Sequence, residues 1–310
     1  MIASKREEER RPAIEAVDVA VAAQLACLLE ASAPKPGNVS PGLHFDDLRY
    51  EDFLASAAAI GAPLAGAGGR PLGATVRLAI DATSRWTRSN TNLGIVLLLA
   101  PLARAAAIAN GADLRAAVRR VLDETTVEDA RDVYAAIRRA APGGLGTVAE
   151  EDVAGEPTRP LVDVMRLAAG RDQIAREYAT AFELTFLTGA PSLERARRDG
   201  LAWDAAIVET FLTLLAAAAD THVARRGGPE LAAAVSRQAR AALAAGGVRS
   251  DDGRAAIDRM DRALRDGRHL ANAGATADLT AAAIFVVLLG GGWQAPPRPA
   301  AHGGRDAASR

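Results

Sequence analysis

Residues 93–100, LGIVLLLA, follow the polar triplet Asn90-Thr91-Asn92 and carry no charge. A helix this apolar on every side has no face to offer water, so the fold must bury it. Asn92 reads as its N-cap, with Leu93 and Gly94 opening the helix. The helix start and its asparagines then lie inside the protein or in a cleft. Buried amides need partners there, and free N–H groups at a helix start favour anions. Taken alone, the stretch is equally a capped core helix with a pinned loop.

The remainder of the chain points to helices. Ala and Leu dominate, aromatics make up 4%, and the 310 residues are enough for a large core. With 37 basic and 38 acidic residues the charge balances, which argues against nucleic acid or an anionic membrane as partner. The one cysteine, Cys27, excludes an internal disulfide and fits a reducing cytoplasm. The longest apolar runs, 93–103 and 281–289, fall short of the roughly 20 residues of a membrane span. Residues 1–11 read as a charged lead-in without a signal-peptide core.

Helical spacing covers about 12–33, 50–65, 72–88, 93–109, 113–122, 127–140, 161–169, 172–188, 203–224, 229–245, 252–265 and 276–289. Residues 142–160 read as a flexible insertion and 294–310 as a disordered tail. No segment alternates as a strand does. The expected fold is all-α, one globular domain over 12–293. The Gly-rich GAGGRPLG has a phosphate loop's spacing at Gly68 and Gly73, but Ala74 stands where the lysine must be.

Four polar clusters interrupt this apolar background. PKPGNVS presents Lys35, Gly37 and Asn38, with His44 and Asp46 following; a rigid loop of this kind suits a phosphate, or is an ordinary turn with a solvated lysine. Asn90-Thr91-Asn92 is the second. DTHVARRGG places Asp220 near the expected C-terminal end of an apolar helix, where the macrodipole disfavours a carboxylate, with Arg226 beyond it. NAGATADL, from Asn272, offers Thr276 as N-cap and Asp278 in the first turn of another buried helix. Each cluster alone has a structural explanation.

Together and in this order, the clusters resemble the triphosphoribosyl-dephospho-CoA synthases over residues 24–289. Pro34-Lys35-Pro36-Gly37-Asn38-Val39 matches that family's TPKPGLVD-like loop with Ser40 replacing the acid, and His44 and Asp46 match its H-x-D. Its GGVNTHKG segment survives as Asn90, Thr91 and Gly94, without the His and the Lys. Its DTN…RGG segment appears as Asp220, Thr221, Arg226, Gly227 and Gly228, with His222 in place of Asn. The closing N-x-G-x-x-A-D-L matches Asn272, Gly274, Ala277, Asp278 and Leu279, whereas a GARGEA-like segment is barely visible around Glu177.

The resemblance implies an all-helical transferase acting on ATP. Adenine leaves, and the ribose C1 with its triphosphate joins the ribose 2′-hydroxyl of 3′-dephospho-CoA. It further implies phosphate and nucleotide contacts from Lys35, Gly37, Asn38, Asn90, Thr91, Asn92, Arg226 and Asn272. Asp220 and Asp278 are expected to converge on Mg²⁺ or the oxocarbenium-like ribose, and His44 or Glu177 to act as base. The missing His and Lys leave open another acceptor, such as a methanopterin-type ribityl group. A Mg²⁺-dependent nucleotide or ADP-ribosyl hydrolase and a helical scaffold without a site also stay open.

Overall fold

The computed structural model describes residues 14–109, 113–265 and 268–294. The expected lead-in, the Asn110-Gly111 stop and nearly all of the expected tail lie outside them. Among the described residues there are helices and no strand; two isolated bridges, Ser40 with Leu43 and Phe45 with Leu48, close tight turns. The all-α reading holds.

The helices run in chain order as α1 (Ala16–Ser32), α2 (Tyr50–Ala59), α3 (Gly61–Ala65), α4 (Leu72–Thr83) and α5 (Leu93–Ile108). Next come α6 (Leu114–Asp123), α7 (Val127–Ala140), α8 (Leu161–Ala168), α9 (Gln173–Thr180) and α10 (Ala190–Arg198). The last are α11 (Trp203–Ala217), α12 (Thr221–Gly227), α13 (Pro229–Ala244), α14 (Asp251–Leu264) and α15 (Gly274–Leu289). The two helices with no polar side, α5 and α15, pack on each other at the centre, and α1 and α11 pack against α15. No single helix among the described residues is long and apolar enough to cross a membrane.

Pro101 lies inside α5, where it lacks the N–H that would bond the Leu97 carbonyl one turn back. The buried Tyr178 hydroxyl of α9 donates to that carbonyl instead, at 2.7 Å. The pair thus ties α9 to the central helix by meeting a need that the proline creates. The Gly-rich stretch serves packing, not phosphate. A Cβ on Gly73 would stand 2.4 Å from the Asp129 carbonyl oxygen, so only glycine lets α4 lie this close to α7.

Two expected long helices are broken. The 172–188 segment stops at Ala181 and Phe182, both left-handed (φ 50° and 59°), and resumes as a π turn at Thr185–Gly189 before α10. The 203–224 segment stops at Ala217, and α12 starts afresh from Asp220 at 64° to α11. The 142–160 insertion is held by bonds from α7 and by bonds of its own. Tyr134 donates to the Glu151 carbonyl at 2.5 Å, Arg138 to that of Val153 at 2.7 Å, and Asp152 accepts from the Val148 and Ala154 amides.

Replacing Tyr178 by Phe should lower stability by about 1–3 kcal/mol, because it strands the Leu97 carbonyl in a dry core. Adding Pro101→Ala restores the missing amide donor and should recover part of that loss. Chemical denaturation of the two single variants and the double checks the coupling.

Candidate active site

Beside the N-terminal end of α5 lies a cleft of about 960 Å³. Its walls include residues 38–39, 45–48 and 88–95, the loop after α7 to residue 154, one side of α8, the start of α9, and parts of 221–226 and 268–278. The first turns of α5, α9 and α15 all face it, so the positive ends of three helix dipoles give that side a positive polarity without any ion.

The N-T-N triplet lies there, but its parts act differently from expectation. Asn92 holds the N-cap position with its side chain turned away, donating to Thr83 Oγ1 at 3.0 Å. The cap is made by Asn90, whose Oδ1 accepts from the Leu93 amide at 3.1 Å. Thr91 shares a short hydroxyl–hydroxyl bond with Ser56. Opposite them, Asn38 donates to Asn272 Oδ1 at 3.0 Å, which joins the PKPG loop to the start of α15. Gly37 makes that turn at φ 73°, and its amide donates to Asp261 at 2.8 Å. Thus Asn38, Asn90, Thr91, Asn92 and Asn272 line one cleft, with Arg226 exposed at its rim and donating to the Arg268 carbonyl at 3.2 Å.

Lys35 is a correction. It is 1% exposed and does not line the cleft. Its ammonium donates to the Glu30 carbonyl and to the Ala33 carbonyl (3.2 Å), and pairs with Glu30 Oε1 at 3.0 Å. Three donors meet three acceptors, which leaves nothing for a phosphate. The lysine instead compensates Glu30, a buried carboxylate at the cleft floor.

Neither expected base reaches the cleft. His44 is exposed on the far side of its loop, where Nδ1 accepts from the Tyr50 amide at 3.2 Å. Glu177 is fully buried beneath the helix break, accepting from the Leu184 amide and from the Thr185 amide and hydroxyl (3.0, 2.9 and 2.6 Å). Burial raises its pKa against those bonds. It replaces the intrahelical partners that the break removes.

Asp220 and Asp278 are neighbours with separate tasks. Asp220 is at the start of α12, not the end of an apolar helix: Oδ1 accepts from the Val223 amide at 2.9 Å. Its Oδ2 accepts from both the amide and the hydroxyl of Thr276, each at 2.7 Å. Thr276, expected as a cap, is the third residue of α15, whose N-cap is Ala273. One carboxylate therefore terminates two helices, and it is fully buried outside the cleft lining. Burial raises its pKa, and the bonds from Val223 and Thr276 oppose the rise.

Asp278, in the second turn of α15, does line the cleft and makes no hydrogen bond or ion pair among the described residues. Burial first, then the negative charges of Glu30, Asp220 and Asp172, hold its pKa well above the ordinary carboxylate range; Arg225 opposes this. It is seated against α5 at Gly94, where a Cβ would fall 2.0 Å from Oδ2. Sequence spacing alone showed no reason for that glycine.

Two further cleft residues were given no site role from sequence. Asp172 caps α9 through the Ala175 amide (3.0 Å) and pairs with Arg225 at 3.3 Å. Next to them His222 packs its ring on Gly274. The only sequence signal for either is local: an Asp before a helical run, and a His directly behind the Asp220-Thr221 cap.

These features define a class: a helical protein whose large cleft, among the described residues, joins helix N-termini and arginines to an acidic floor. The chain belongs to the CitG family, ATP:dephospho-CoA triphosphoribosyl transferase, whose model matches residues 16–297. Among curated relatives, the "Probable 2-(5''-triphosphoribosyl)-3'-dephosphocoenzyme-A synthase" of Pseudomonas putida is 34% identical over 124 residues, 37% of this chain and 43% of that one. The protein of the same name from Pseudomonas paraeruginosa is 37% identical over 123 residues, 38% and 41%. The matched stretch thus spans less than half the length of these relatives. A crystallised protein of Archaeoglobus fulgidus, described as a triphosphoribosyl-dephospho-CoA synthase, shares the fold at TM-score 0.60 and 29% identity, covering 77% of this chain and 99% of its own.

The two aspartates should respond oppositely to replacement. Asp220→Ala strands donors at two helix starts and should cost about 2–4 kcal/mol. Asp278→Asn removes an unpartnered buried charge and should raise apo stability at neutral pH. The raised folded-state pKa of Asp278 means that its ionisation weakens the fold as pH rises from the ordinary value of 3.8 through the folded one. The advantage of Asp278→Asn should therefore vanish on acidification below about pH 4. Thermal melts of both variants across pH check this.

Proposed function

We propose that this chain transfers the triphosphoribosyl group of ATP to the ribose 2′-hydroxyl of 3′-dephospho-CoA and releases adenine. Family membership supports the reaction class, and the observation that carries it to the cleft is the unpartnered Asp278 carboxylate against the start of α5. A cleft of about 960 Å³ is at the upper end of the usual range for a small-molecule site.

The arrangement separates charges as the reaction needs. Arg225, Arg226 and the first turns of α5 and α15 suit the triphosphate. The side-chain amides of Asn38, Asn90 and Asn272 are placed to orient sugar and phosphate. Glu30, Asp172 and Asp278 give the floor a negative field, which stabilises positive charge on the ribose as the bond to adenine breaks. The chemistry is proton-neutral overall: the hydroxyl loses one proton and the departing adenine gains one.

Among the described residues no three His, Cys, Asp or Glu side chains converge to hold a metal, and the Asp220 oxygens are taken up by two helix starts. A resident two-aspartate Mg²⁺ site does not fit. Mg²⁺ arriving on ATP does, since that ion commonly takes one protein carboxylate beside phosphate oxygens, and Asp278 at the start of α15 is free to serve. Bound there, it would neutralise triphosphate charge. A cytoplasmic location belongs to the same proposal, because ATP is the donor.

Incubation with Mg·ATP and dephospho-CoA, followed by chromatography, should show adenine and a triphosphoribosylated product in equal amounts. Adenine or ADP-ribose appearing without an acceptor would assign a hydrolase instead. Gly94→Ala should abolish turnover by displacing Asp278, with a fall in melting temperature of a few degrees at most and native helix content by circular dichroism, since the added Cβ meets the carboxylate at 2.0 Å.

A further inference from the structure

His222 is a cleft residue whose two ring nitrogens are in contrasting states. Nδ1 lies 3.4 Å from Nη2 of Arg225. A guanidinium only donates, so in this contact Nδ1 accepts and bears no proton. The proton of the neutral ring is then on Nε2. That nitrogen is buried and has no hydrogen-bond partner. A buried donor without an acceptor is unfavourable, and few survive in a folded protein without a role.

The ring cannot easily turn away from this arrangement. It packs on Gly274 at the first residue of α15, where a Cβ would stand 3.3 Å from the imidazole Cγ. The backbone on either side is fixed by the Asp220 cap and by the reciprocal bonds of Thr221 with Gln173 (2.9 and 3.1 Å). The imidazole also stays uncharged: burial, then Arg225 and Arg226, bring its pKa down to about 4. The site therefore contains two permanent cations and, beside them, one neutral N–H.

We propose that His222 donates its Nε2 proton in a hydrogen bond to N3 or N7 of the bound adenine, and so recognises the leaving base. The assignment rests on the transferase reading above and extends it to the base. Guanidinium groups are the better partners for phosphate oxygens, whereas a neutral N–H suits a heterocyclic nitrogen. The same contact strengthens as the bond to ribose breaks and electron density moves onto the base. His222 would thus touch the substrate at the group that departs.

The test reads binding as well as turnover. Calorimetry with ATP and with its 3-deaza and 7-deaza analogues, each lacking one ring nitrogen, should show wild-type protein binding one analogue roughly three- to tenfold more weakly than ATP. His222→Phe should lose that discrimination by weakening ATP alone, and His222→Asn, which keeps an N–H donor, should retain much of it. Nitrogen-15 spectra of the imidazole should show the Nε2–H form at neutral pH and a shift of that nitrogen on adding ATP. Equal affinity for ATP and both analogues, or discrimination surviving in His222→Phe, overturns the inference, and so does an Nδ1–H ring. If His222 discriminates but no adenine is released in the presence of dephospho-CoA, the contact stands and the transferase reading falls. If ATP does not bind, both fall. Unchanged melting temperatures of the Asn and Phe variants confirm that the losses are local.

Discussion

Everything around the cleft depends on one buried carboxylate. Asp220 accepts from the starts of two helices, α12 and α15. Helix starts carry partial positive charge and unpaired amides, so bringing two together is unfavourable unless an acceptor lies between them. A carboxylate with two oxygens serves both. Once they are joined, His222 and the arginines of α12 face Asp278 and Asn272 of the α15 segment across a short gap. The site is thus a consequence of how the fold solves a capping problem.

A second constraint works from below. The Glu30 carboxylate lies at the end of α1 under the cleft, and Lys35 folds back over it with every donor engaged. An isolated charge at that depth would be very unfavourable; the pair makes the acidic floor tolerable without neutralising Asp278. Asp278 stays unpaired while the cleft carboxylates Glu30 and Asp172 beside it are matched by Lys35 and Arg225.

How much of this was legible in the sequence follows from what each signal reports. The apolar runs of α5 and α15 announced buried helices, and the polar residues before them announced a cleft, because burial leaves a chain few choices. The helix breaks were hidden. Ala181 and Phe182 adopt left-handed backbone without glycine, and the stop at Ala217 has no proline; both depend on distant partners, Glu177 with Thr185 and Asp220 with Thr276. Lys35, His44 and Glu177 look like site residues in a string of letters, since sequence shows a side chain's chemistry but not where it points. Asp278 and Asn38, by contrast, were named from segments resembling the family's, and both line the cleft. Gly94 and His222 acquire meaning only through the residues packed on them.

The chain contains two lysines, and the one in this structure has its ammonium enclosed on all sides. An amine reagent can reach Lys35 only if the floor of the cleft opens. The rate at which Lys35 is labelled in native protein is therefore a clock for that local opening. Any ligand that braces α1 against α15 should slow the clock whether or not it is turned over.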